Sequence, residues 1–231
     1  MAGPMRRLPT GGALNKLNER TGCNARRNTV PIMALIEAHP TVSPRAVEEC
    51  IASHVGGTCP CGIVSQGTVD DFSKRLFDAQ ESPAARDWRR LQGDVRFTLE
   101  ECRNFMYCLF CEAPVRGRRF ELASRELMEA ALHKVDPVRK WRTRKASKEE
   151  DAGFAVDWVV MENQKVVAGV QVKPESAMGR EDVIRMNREK HSMWGHFAVF
   201  HVYNDNGTFE DTDALARQIS DAAAAAASTL G

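Results

Sequence analysis

The chain lacks the features that mark a membrane protein, a secreted protein or a repeat array. None of its apolar runs approaches the roughly 20 residues that a bilayer-spanning helix needs, so no membrane partner is expected. The opening stretch MAGPMRRLPTGG has arginines but no apolar core behind them, so it does not read as a secretory signal. Residues 1–12 are expected to form a flexible arm, and the protein is expected to be cytoplasmic. No internal repeat is visible. The net charge of +1 shows no overall imbalance, and 43% hydrophobic with 27% charged residues is ordinary for a soluble globular protein. Seven cysteines are an odd number, and no export signal accompanies them, so reduced thiols or a metal site are expected rather than a disulfide framework.

What is present falls into two patterns. Residues 13–115 read as helical, a region suited to DNA recognition or dimerisation. Ser43-Pro44 pairs a cap with a proline at the first helical position, and Gly56-Gly57 closes the helix that follows. Thr68 with Asp71 and Thr98 with Glu101 have the spacing of capping boxes. The second of these helices places Leu99, Cys102, Phe105, Met106 and Leu109 on one apolar face. Ser82-Pro83 starts a further helical piece ending near Gly93, and Gly56 to Gly67 is a Gly/Cys/Pro loop.

From Phe120 the pattern changes. FELASRELMEAALHKV predicts an amphipathic helix, with Phe120, Leu127, Ala131 and Val135 available for burial. Alternation at 141–146 predicts a strand, and the following LysGluGluAspAlaGly reads as a turn. FAVDWVVM and KVVAGVQV read as two strands joined by the turn Glu162-Asn163-Gln164-Lys165. A helix over Arg180 to Trp194, a strand over 197–203 and an alanine-rich helix from Asp213 to about Ala227 complete the chain. The order from Phe120 to Tyr203 is thus α-β-β-β-α-β, and residues 116–231 are expected to form an α/β core with a C-terminal helix.

The chemistry concentrates on the central hairpin. Strand side chains alternate faces, so Gln171 and Lys173 point the same way, and the hairpin brings Asp157 close to them. An aspartate between Phe154-Ala155-Val156 and Trp158-Val159-Val160 is costly to bury unless it is paired or bound to a metal. A carboxylate, a second oxygen ligand and a lysine on one sheet face suit metal-assisted phosphodiester hydrolysis. Directly upstream, residues 116–148 carry eleven Lys/Arg against four acids, a local charge of +7. Such a patch suits a phosphate backbone, and Arg142, Arg144, Lys145 and Lys148 are the expected DNA contacts. A solvated charged surface is the plainer reading of the same charges.

With Asp157 on the second strand and Gln171-Val172-Lys173 on the third, this order resembles the PD-(D/E)XK nuclease superfamily. The resemblance covers about 90 residues, roughly Arg116 to Asp205. The string from Arg144 to Asp151, running on to Asp157 and then to Val170-Gln171-Val172-Lys173-Pro174, is most similar to certain type II restriction endonucleases. The resemblance implies a mixed central sheet flanked by helices. It makes Asp157 a Mg²⁺ ligand, with Mn²⁺ able to substitute, and Lys173 the residue that orients the attacking water. Glu121 joins them as the carboxylate from the preceding helix, with Glu126 as second choice. Gln171 stands where the family carries an acid; its amide oxygen can ligate Mg²⁺ but supplies no charge. Glu162 and Glu175 are alternative carboxylates nearby.

The implied activity is site-specific cleavage of double-stranded DNA by a homodimer, beside a host methyltransferase. The alternatives are a junction resolvase, an Mrr-type enzyme acting on modified DNA, and a DNA-binding protein of the same fold that has lost catalysis. Outside this core, Cys59-Pro60-Cys61 and Cys108-Leu109-Phe110-Cys111 could together form a four-thiolate zinc site, although core or loop thiols are the simpler expectation. His191, His196 and His201 read as packing or surface residues. Arg185, Arg188 and Lys190 read as phosphate contacts or a solvated helix face. Trp141 and Trp194 read as core or interface residues.

Overall fold

The computed structural model describes residues 12–25, 29–39, 43–91 and 94–228. Contacts divide the chain into two compact units, residues 6–117 and residues 118–231. Most of the expected N-terminal arm, residues 1–11, lies outside the described residues, as does Gly93.

The first unit is built of helices. These are α1 (Ala13–Thr21), α2 (Ile32–Ala38), α3 (Pro44–Ser53), α4 (Val69–Ala79), α5 (Pro83–Leu91) and α6 (Leu99–Tyr107). The caps act as their spacing requires: the Ser43 side chain accepts from the Ala46 N–H, and Thr68/Asp71 and Thr98/Glu101 each close a full capping box. Leu17, Leu35, Ile51, Phe72, Leu76, Phe105 and Met106 form its core. Leu99, expected on the buried face, is 48% exposed. It is the first residue of α6, where the helix projects past its packed face.

A single π-helical turn, Cys108–Glu112, leads into α7 (Ala113–Val135). This helix starts well before Phe120, and Pro114 directly follows the π-helical turn, an irregularity in the hydrogen-bond ladder of a continuous helical run. Its buried stripe is Phe120, Ser124, Met128, Ala131 and Leu132, while Leu127 is 45% exposed. The expected stripe was rotated towards Leu127 because Ser124 reads as polar. Ser124 is buried because its hydroxyl bonds Nδ1 of the equally buried His201 at 2.7 Å. Burial holds the His201 pKa down to about 4, so this imidazole is a neutral packing residue.

The second unit continues with β1 (Trp141–Lys145), α8 (Lys148–Phe154), β2 (Trp158–Glu162), β3 (Lys165–Pro174), the short α9 (Glu175–Met178), α10 (Glu181–Ser192), β4 (Phe197–Tyr203) and α11 (Thr212–Ser228). The stretch expected to be a turn after β1 is instead α8. Ser147 and Glu150 form a capping box there, and three acids in the first turn favour the positive helix end. Its lack of buried residues hid it from a reading based on apolar periodicity.

The four strands form one mixed sheet in the order β1-β2-β3-β4, antiparallel as far as β3 and parallel between β3 and β4. The fold is therefore α/β with a four-stranded mixed sheet. Asn163 and Gln164 both take positive φ and form the two-residue turn that joins β2 to β3. One sheet face, with Trp158, Val160, Val170 and Val172, packs with Met128 and Leu132 of α7 and Leu215 and Ile219 of α11. On the other face, the Trp194 ring lies so close to Gly169 that a Cβ built there would sit 2.4 Å from its Cζ3. Gly169→Ala should therefore force Trp194 out or distort β3, with a loss of roughly 1–3 kcal/mol measured by urea unfolding.

Candidate active site

Asp157 stands one residue before β2 rather than inside the strand, and its backbone is tied on both sides. Its N–H donates to the Val170 carbonyl at 2.9 Å, and its carbonyl accepts from the Ala146 N–H at 3.1 Å. Its carboxylate Oδ2 accepts from the Val172 N–H at 2.7 Å. The segment that delivers it is conformationally demanding. Ala155 caps α8 with φ +55°, a left-handed conformation that is unusual for alanine, and His191 Nε2 lies 3.2 Å from its carbonyl oxygen. Extending the Trp158↔Val170 register by one residue places Asp157 opposite Gln171, so Asp157, Gln171 and Lys173 share a sheet face.

The electrostatics are unusual for an aspartate. Burial, and next the negative charge of Glu121, push the Asp157 carboxyl up to about 6. The Val172 N–H and the cations of Lys145 and Lys173 oppose this without cancelling it. Glu121 therefore stands within electrostatic reach of Asp157, and it pairs directly with Lys145, Nζ to Oε2 at 2.5 Å. The Trp158 indole N–H donates to the Glu121 carbonyl at 2.9 Å, which fixes that turn of α7 against β2. Gln171 is buried, and its Oε1 has no hydrogen-bond partner. A buried amide oxygen without a donor is costly, and it suits a cation ligand. The residues present fit a hard divalent cation: carboxylates from Glu121 and Asp157 and the amide oxygen of Gln171.

The other candidates are sorted by the same geometry. Glu126 and Glu175 are exposed, and Glu162 lies at the far end of the hairpin in an ion pair with Arg139 at 2.8 Å. The four expected DNA contacts do not form one uniform set. Arg144 is held by both oxygens of Glu150, at 2.6 and 2.7 Å, and Lys145 is committed to Glu121. Arg142 and Lys148 are exposed. Much of the basic window is neutralised internally, because Arg125, Lys134 and Arg139 also pair with acids. Among the described residues Arg118, Arg119, Lys140, Arg142 and Lys148 have no ion-pair partner. Arg185 and Arg188 are exposed on α10, whereas Lys190 caps the Ala152 carbonyl at 2.8 Å.

Two neighbours of the site have roles that the sequence does not show. Lys145, expected as a DNA contact, is the direct partner of Glu121. His191 is a packing residue, as expected; burial first, and then the charge of Lys173, hold its pKa down against the bond to Ala155, and its ring lies 4.9 Å from that of Phe200. The available signal was the i, i+4 pair Asn187/His191, two polar side chains buried on the inner face of α10 beside Ile184.

The four cysteines proposed as one zinc site are not together. Cys108 and Cys111 are buried within a helical run; Cys108 donates to Glu112 at 3.0 Å, and Cys111 lies in the core of the first unit. A π-helical turn directs both thiols into packed surroundings, and burial raises the Cys111 thiol to about 12. Cys59 and Cys61 group instead with His39 and His54. None of the seven cysteines forms a disulfide. Among the described residues no helix is long and apolar enough to cross a membrane. The chain matches no known family description, no curated protein and no solved structure.

The raised Asp157 carboxyl has a consequence for stability. It holds its proton more tightly in the folded state than in the unfolded chain. The metal-free fold is therefore favoured by this group as pH falls from about 6 towards the ordinary aspartate value, and penalised above 6. Asp157→Asn should stabilise metal-free protein by about 1–2 kcal/mol at pH 7.5 and by little at pH 4.5. Thermal melts at the two pH values check this, and equal effects at both would contradict it.

Proposed function

We propose that this chain is a Mg²⁺-dependent endodeoxyribonuclease of the type II restriction kind, built on a PD-(D/E)XK core. The observation that carries the reading is the grouping of Asp157, Gln171 and Lys173 on one face at the end of a hairpin, with Glu121 held within electrostatic reach of Asp157. Two carboxylates in a partly buried site repel each other. A divalent cation would remove that penalty and accept the unpaired oxygen of Gln171. Mg²⁺ there would supply Lewis-acid polarisation of a phosphate and a more acidic water.

The protein's own contributions follow from its bonds. The Val172 N–H fixes one oxygen of Asp157, so the other has a set direction. Lys173 brings a cation to the same face, where it can orient a water and balance charge on a pentacovalent phosphate. Lys145 holds the Glu121 carboxylate in place through their ion pair. Arg119, Lys140, Arg142 and Lys148 supply exposed positive charge for a DNA backbone, with half-buried Arg118 beside Arg119. Cutting both strands at a symmetric sequence calls for two such sites, hence a homodimer.

The test is incubation of the full chain with unmethylated phage and plasmid DNA, with Mg²⁺ or Mn²⁺ and with chelator. Discrete metal-dependent fragments are expected, and none in chelator. Asp157→Ala and Lys173→Ala should each lower cleavage by about 10²–10³-fold or more while DNA binding persists. Cleavage surviving in both variants would overturn the site. Salt-sensitive binding of duplex DNA without cleavage in either metal would instead identify a descendant that binds but does not cut, for which the neutral Gln171 provides the reason.

A further inference from the structure

We propose that the helical unit carries a structural zinc ion bound by His39, His54, Cys59 and Cys61. The four ligand atoms lie within 4.8 Å of one another. His39 Nε2 and His54 Nε2 are 3.1 Å apart, Cys59 Sγ lies 3.5 Å from His39 Nε2, and Cys61 Sγ lies 3.3 Å from His54 Nε2. With Zn–N near 2.05 Å and Zn–S near 2.3 Å, a regular tetrahedron has N–N edges of about 3.3 Å and N–S edges of about 3.6 Å. These three separations match those edges, and the remaining three stay within 4.8 Å, so the four atoms can close around one ion.

The surroundings are prepared for it. His54 Nδ1 lies 2.7 Å from the Cys50 carbonyl oxygen, which can only accept. Nδ1 therefore carries the proton, and the lone pair of Nε2 faces the cluster, the tautomer a metal-bound histidine requires. His54 is buried, so its orientation is fixed. Cys59-Pro60-Cys61-Gly62 forms a tight turn closed by the Gly62 N–H to the Cys59 carbonyl at 3.1 Å. This turn lets two thiols separated by one residue reach the same point.

The loop also needs such an anchor. From Gly56 to Gly62 every residue except Cys59 is exposed, and Gly56, Gly57 and Gly62 all take positive φ. No apolar side chain in that stretch holds it to the core. His39 follows α2 and His54 follows α3, so one ion would join the ends of two helices to the loop. All four positions are protein ligands, which leaves no open coordination site and makes the role structural. Nitrogen and sulfur donors select zinc over magnesium or calcium, and this site shares no residue with the proposed magnesium site.

The test uses the full chain grown in zinc-supplemented medium and desalted. Elemental analysis should find about one zinc per chain. In the Cys59→Ser/Cys61→Ser double variant it should fall at least about tenfold, while Cys108→Ser keeps the full amount. Exchange of the native chain into cobalt gives a second readout that no misfolded variant can confuse. Intense visible bands of tetrahedral cobalt with a thiolate charge-transfer band are expected. Zinc well below stoichiometry, a weak octahedral cobalt spectrum, full zinc in the double variant, or zinc lost with Cys108→Ser would each overturn the assignment.

Discussion

The hydrogen bond from the Val172 amide to the Asp157 carboxylate is the contact on which the candidate site depends. It joins the residue entering β2 to the C-terminal end of β3, between Gln171 and Lys173. The Asp157 backbone also bonds to both neighbouring segments, at Ala146 and Val170. A carboxylate held this way cannot swing to solvent to escape its environment. It stays partly buried within reach of Glu121, and its proton affinity rises. The left-handed Ala155 and the contact of His191 with its carbonyl are the local structure that holds this position.

Charge in the second unit is arranged by pairing rather than by composition. The upstream basic window is strong in the sequence, but folding commits Arg125, Lys134, Arg139, Arg144 and Lys145 to acids. What remains for a polyanion is a smaller set of exposed cations. Lys145 serves the site through Glu121. Exposed pairs of this kind contribute little to stability, so their effect lies mainly in where they leave charge unbalanced.

The helical unit shows the same principle with softer ligands. Its core is ordinary aliphatic and aromatic packing, yet the Gly/Cys/Pro loop adds almost nothing to that core. Two histidines at helix ends and two thiols in a tight turn converge where apolar contacts are missing. The histidines come from positions whose neighbours in sequence carry no metal-binding spacing. Cysteine spacing alone therefore points to Cys59 and Cys61 but not to their histidine partners.

Helices with caps, the two-residue hairpin, the strands from Trp141 to Tyr203 and the shared face of Asp157, Gln171 and Lys173 were legible because each follows from local rules. Capping spacing, side-chain alternation and turn chemistry act over a few residues, and the chain states them directly. Helix α8 escaped because a helix with no buried residue leaves no periodic apolar signal. The burial of Ser124 and the exposure of Leu127 escaped because a hydroxyl bonded to His201 packs as though it were apolar. The pairing of Lys145 with Glu121, the neutralisation of Arg144 and the gathering of His39 and His54 around two thiols join residues from separate elements. Only tertiary structure decided those, because electrostatic and ligand geometry depend on distances in space that sequence separation does not encode.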